Sequence, residues 1–180
     1  QPLLGTYSDA PLAEKKAIGN HSPKVLEHLL LDKNNGTSVF NNITQARENA
    51  RAVQDHITKE MWQCLNDFYH GIRQEKLIDQ LQREDPITVL DGLIKYGLLY
   101  YGTTDVTMSR GEGNAFINIG KYLERAVQSA DILDIKFSDL NYQLDKPADT
   151  TYWKYLLMSI SGYELYLKTY RGGFEAKKVV

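Results

Sequence analysis

Only one cysteine, Cys64, stands in the chain, so no intramolecular disulfide and no multi-cysteine zinc site can form. That usage fits a reducing compartment, and the expected location is the cytoplasm. An excess of one charge is also missing: 21 lysines and arginines face 23 aspartates and glutamates, a net charge of −2. There is thus no electrostatic footprint for nucleic acid or for an anionic membrane, and neither is an expected partner. The longest apolar run, Leu93 to Tyr101, is interrupted by Lys95 and Gly97 and falls far short of the ~20 residues of a spanning helix. No cationic segment followed by an apolar stretch and a cleavage site opens the chain, so Asn35-Gly36-Thr37 and Asn42-Ile43-Thr44 carry no glycosylation meaning. The first residue is Gln1 and not methionine, which reads as an excised or processed piece.

Period-two alternation is lacking too, and what replaces it is helical. At 180 residues and 42% hydrophobic, the chain can bury one compact core, and a single domain over 1–180 is expected. Residues 1–20, with Gly5, Pro11 and Gly19, form an irregular or partly helical entry. Ser22 and Pro23 then predict a capped helix from Pro23 to Lys33. Ser38 predicts a cap for a long core helix through Phe40, Ile43, Ala46, Ala50, Val53 and Ile57, with a kink or restart at Thr58 and a continuation to Tyr69. A weaker helix spans Glu75 to Arg83. Asp85-Pro86 begins another, whose stretch from Ile87 to Tyr101 should be buried nearly all round. The stretch Met108 to Phe137 is the expected centre of the molecule: Phe116, Ile119, Leu123, Ala126, Ala130 and Leu133 share one helix face, which should be covered. After a loop or short turn from Ser138 to Ala148, Asp149 or Thr150 caps a last helix from Thr151 to about Tyr170, stopped by Gly172-Gly173. The architecture expected is all-α, a mostly antiparallel multi-helix bundle.

Two charged stretches are the leading site candidates. Arg47, Arg51 and Asp55 share a face at successive turns, with Glu48 within reach of Arg51, and Glu124-Arg125 interrupts the central amphipathic helix. If these converge inside the bundle, Arg47, Glu48, Arg51, Glu124 and Arg125 form a buried polar site able to hold an anionic or zwitterionic ligand through bidentate guanidinium contacts. If they face water they are an ordinary ladder of weak ion pairs. A weaker anion site is Arg110-Gly111-Glu112-Gly113, where Arg110, Gly111 and Gly113 precede or open a helix, but no third glycine and no following lysine–serine complete a nucleotide motif. His56 with Glu60 and Asp67 with His70 do not supply the matched pairs of a di-metal bundle, so no metal and no cofactor are expected. Nothing marks a nucleophile, and Cys64 reads as packing.

These same residues carry a resemblance. ITQARENARAVQDHITKEMWQCLN, FINIGKYLERAVQSADILDIKF and YWKYLLMSISGYELYLKTYRGG resemble three segments of the bacterial Alpha-E domain family, over about Val25 to Val180. Lys121 stands where the family usually has arginine, and Gly111 and Asn114 where an acidic residue and a tryptophan are more usual. Family members are typically longer at both ends, so the chain resembles a central fragment or a shortened member. The resemblance implies an all-helical protein of unknown function, usually encoded beside ATP-grasp and transglutaminase-like proteins and suggested to serve amide-bond formation or peptide modification. By matching motif it carries over Glu48, Arg51, Glu124 and Arg125.

The leading expectation is therefore an accessory or binding protein for an ATP-grasp-dependent ligating system. Two alternatives stay open: an enzyme in which Glu48 or Glu124 is a general base beside an arginine anion clamp, and a purely structural bundle. If helices are missing from the chain, exposed apolar surface predicts self-association.

Overall fold

The computed structural model describes residues 2–83, 86–141, 150–170 and 172–179, and every regular element in them is helical. Two compact units are described in turn, Gln1–Asn114 and Ala115–Val180.

The first unit is organised by α5 (Lys59–Ile72), which packs on α4 (Val39–Ala52) on one side and on α7 (Pro86–Thr107) on the other. Three faces of α5 have three different surroundings. Met61, Leu65, Phe68 and Ile72 are buried. Phe68 and Ile72 join Leu30, Phe40, Leu81, Val89 and Leu93 in the core, which α3 (Ser22–Leu30) and α6 (Lys76–Arg83) help to close. Trp62, Asn66, Tyr69 and Arg73 form the second face, toward α4, while Glu60, Gln63, Cys64 and Asp67 form the third, toward α7. Gly71 lies where α5 and α7 come closest: an added Cβ would stand 2.7–2.9 Å from the Tyr96 ring, which stacks on Phe68 at 5.0 Å.

The expected caps hold at two of three starts. Ser38 accepts from Asn41 N–H and Thr58 from Met61 N–H, so the long helix does restart at Thr58, after a tight turn at Gln54–His56. Ser22, by contrast, lies inside α3, and His21 is its cap residue without a side-chain bond. That helix also stops at Leu30 and not Lys33, because Asp32 turns its carboxylate back to accept from Asn34 N–H. Asp85 lies outside the described residues.

Residues 2–20 are partly helical, one of the two forms expected. The chain forms α1 (Pro2–Thr6) and α2 (Leu12–Ile18), and Gly19 ends α2 with φ 61°, a conformation glycine adopts without steric cost. The segment between these helices is held to α3 and the following loop by a polar clasp. Ser8 Oγ lies 2.7 Å from His28 Nε2, Thr37 Oγ1 donates to Tyr7 O, and Gly36 N–H donates to Asp9 Oδ2. Asn35, fully buried, donates to Tyr7 O and His28 O and accepts from Asp9 N–H and Thr37.

The expectation that α7 is buried nearly all round is overturned. Val89 and Leu93 are buried, but Ile87, Ile94, Leu98, Leu99 and Tyr101 are exposed. An apolar composition sets what a helix can bury, not how many neighbours surround it.

In the second unit α8 (Glu112–Asp139), whose first residues still belong to the first unit, runs close to its expected bounds, but its apolar face is not covered as expected. Phe116, Ile119 and Leu123 are exposed, and only the last turns, through Ile132, Leu133 and Phe137, join a core around Trp153 and Leu156. The loop expected to Ala148 and the Asp149 cap lie outside the described residues beyond Asn141. The last helix is two: α9 (Thr150–Ser159) and α10 (Tyr163–Thr169), followed by a turn at α11 (Ala176–Val179). The break is a Schellman closure, in which Gly162 N–H reaches Leu157 O, Ser161 N–H reaches Met158 O, and Ser161 takes φ 59°. The expected inward face does not continue through that break: in α10 Leu167 is exposed and Tyr166 is the buried residue.

Candidate functional site

The arginine–glutamate ladder of α4 lies on the α4–α5 surface, and the structure orders its members unequally. Arg47, whose side chain is 21% exposed, donates through Nε to Asn66 Oδ1 at 2.7 Å and through Nη1 to Glu48 Oε1 at 2.8 Å. Its guanidinium sits 5.4 Å from the Trp62 ring and 4.6 Å from the Tyr69 ring. Arg73 continues the row, stacking 4.8 Å from the same Tyr69 ring and donating to its hydroxyl. Cation–π contacts of this kind contribute about 0.5–1 kcal/mol at exposed sites and fix the plane of the guanidinium. Arg51 is looser: its side chain is 67% exposed, and Nη1 lies 3.8 Å from Glu48 Oε2.

Burial, which the ligand reading of these charges assumed, is not what the structure shows. Glu48 and Arg51 are exposed on α4, and Glu124 and Arg125 are exposed on α8, where Glu124 Oε1 accepts from Gln128 Nε2. Glu48 lies between the guanidiniums of Arg47 and Arg51, 2.8 and 3.8 Å from their Nη1 atoms. Arg110 and Gly111 are exposed just ahead of α8, and Gly113 in its first turn lies against Met108. His56, Glu60, Asp67 and His70 are all exposed.

Between α5 and α7 lies an open cavity of about 610 Å³. Leu98, Leu99, Val106, Glu60 and Asp67 are among its lining residues, and Cys64 Sγ meets Thr103 Oγ1 at 3.3 Å. No arginine is among its lining residues. Nearby, burial pushes the Tyr100 phenol above its ordinary value; a Thr104 hydrogen bond opposes this, and Tyr101 and Cys64 add a little to it.

Sequence reasoning missed the aromatic half of the arginine face. Trp62, Asn66, Tyr69 and Arg73 stand at i, i+4, i+7 and i+11, and that spacing was available; only their position opposite Arg47 was not.

A family described as a predicted alpha-helical domain with a conserved ER motif matches residues 1–180. The chain belongs to the Alpha-E family. Glu124-Arg125 is the one Glu–Arg dipeptide in the sequence of this Alpha-E protein. No curated protein and no solved structure matches it. Among the described residues, no helix is long and apolar enough to cross a membrane.

Proposed function

We propose that this Alpha-E protein is a binding protein whose contact surface is the arginine–aromatic face of α4 and α5, and that its partner belongs to an ATP-grasp-dependent amide-bond-forming or peptide-modifying system. The observation that supports this is the fixed guanidinium of Arg47. Two hydrogen bonds and two rings hold it at the surface, so little side-chain entropy is lost when it engages a carboxylate. Arg51 and Arg73 flank it, and arginine, tryptophan and tyrosine are the residues that dominate binding energy at interfaces. The partner group that fits is anionic and planar, such as the carboxylate of an acidic or C-terminal peptide segment. Glu124 and Arg125 remain a second contact candidate through the family motif. An ATP-grasp protein from the same genome should co-elute with the wild-type chain, and Arg47→Ala together with Arg73→Ala should abolish co-elution. Failure of the wild type to associate with it, or co-elution untouched by both substitutions, would sink the proposal.

A further inference from the structure

Glu14 of α2, His28 of α3 and Asp32 just after α3 are brought together although the sequence holds Glu14 fourteen residues from His28. One donor atom from each lies within 4.8 Å of the other two, and among the described residues this is the one such group of three. The surroundings arrange these donors for something smaller than an organic ligand. His28 is 5% exposed, and Ser8 Oγ engages its Nε2 at 2.7 Å, so the nitrogen left to face the carboxylates is Nδ1. Asp32 Oδ1 is occupied by Asn34 N–H, which aims Oδ2 at that nitrogen, 2.8 Å away. Without an ion, the Nδ1–H tautomer makes this contact a hydrogen bond to Asp32 Oδ2; a cation would take the place of that hydrogen.

The three donors line a cavity of about 320 Å³ that also holds Lys24 and Glu27, so three carboxylates face one ammonium at its wall. The neighbouring Lys15 gives its ammonium to the carbonyl of Ser8. We propose that Glu14, His28 and Asp32 bind one divalent cation of the zinc class. One imidazole with two carboxylates suits a borderline ion, whereas calcium and magnesium favour oxygen alone. In the bound tautomer Nε2 carries the hydrogen and donates it to Ser8 Oγ, which acts as the outer partner that orients a ligating histidine. The cavity leaves room beyond the three protein donors for water or a small anion. His28 and Asp32 then serve both the ion and the clasp, while Glu14 serves the ion.

The test titrates Zn²⁺ into the full chain after treatment with a chelator, in competition with a chromophoric indicator. One equivalent should bind, and Glu14→Gln should weaken binding at least ~10-fold with an unchanged far-ultraviolet spectrum. Asp32→Asn should weaken it further, and Ser8→Ala should lower affinity ~10-fold through the outer partner. Because Asp32→Asn also touches the clasp, Glu14→Gln is the deciding variant. No bound zinc, or equal affinity in the wild type and Glu14→Gln, overturns the site.

Discussion

The polar clasp over α3 and the charge ladder on α4 are built from similar groups, and water treats them differently. In the clasp, Asn35 and His28 are out of solvent, so each lost partner leaves a buried polar atom without a hydrogen bond, at about 1–3 kcal/mol. On the ladder, Arg51 and Glu48 keep their hydration, and breaking their pair costs little. Polar groups therefore contribute more to the stability of this protein where they are enclosed than where they stay hydrated.

The sharpest way to break that contrast is Asn35→Ala, which removes bonds to Tyr7, His28, Asp9 and Thr37 and should lower stability in urea by about 3 kcal/mol. A loss below about 1 kcal/mol would mean that the clasp is ornamental. Gly71→Ala asks whether close packing matters as much as polar closure. The new methyl would meet the Tyr96 ring at 2.7–2.9 Å, with an expected loss of about 2 kcal/mol and a weakened stack on Phe68. At the other extreme, Arg51→Ala and Glu124→Ala should each cost less than about 1 kcal/mol; losses of 3 kcal/mol or more in the same urea series would restore the buried-site reading.

Tyr100 stands between the two cases, half-buried and titratable. Its raised value means that the folded state keeps the phenolic proton at a pH where the unfolded chain has lost it. Between those two values the unfolded chain binds fewer protons, so this contribution is full below about pH 10 and is lost as pH rises through the folded value. Urea midpoints should fall as pH rises above about 10, and Tyr100→Phe should flatten part of that fall.

How much of this was legible in the sequence follows the same division. The helices and the Ser38 and Thr58 caps depend on local spacing, and local spacing is what a sequence displays. The Glu48–Arg51 pair was visible for that reason, one turn apart. Its exposure was not, because an amphipathic repeat does not say what covers a face; the same gap misjudged Leu98 on α7 and Phe116 on α8. The clasp was invisible for the opposite reason. Ser8, His28 and Asn35 lie apart in the chain, no two of them form a motif, and only the return of residues 7–10 onto α3 makes them neighbours.

The most direct test of the proposed binding face is calorimetric titration of the proposed ATP-grasp partner with wild-type and Arg47→Ala protein, each checked by urea unfolding. Arg47→Ala should weaken binding at least ~10-fold while lowering stability by no more than about 1 kcal/mol, which separates recognition from folding. Undiminished binding by Arg47→Ala would contradict it.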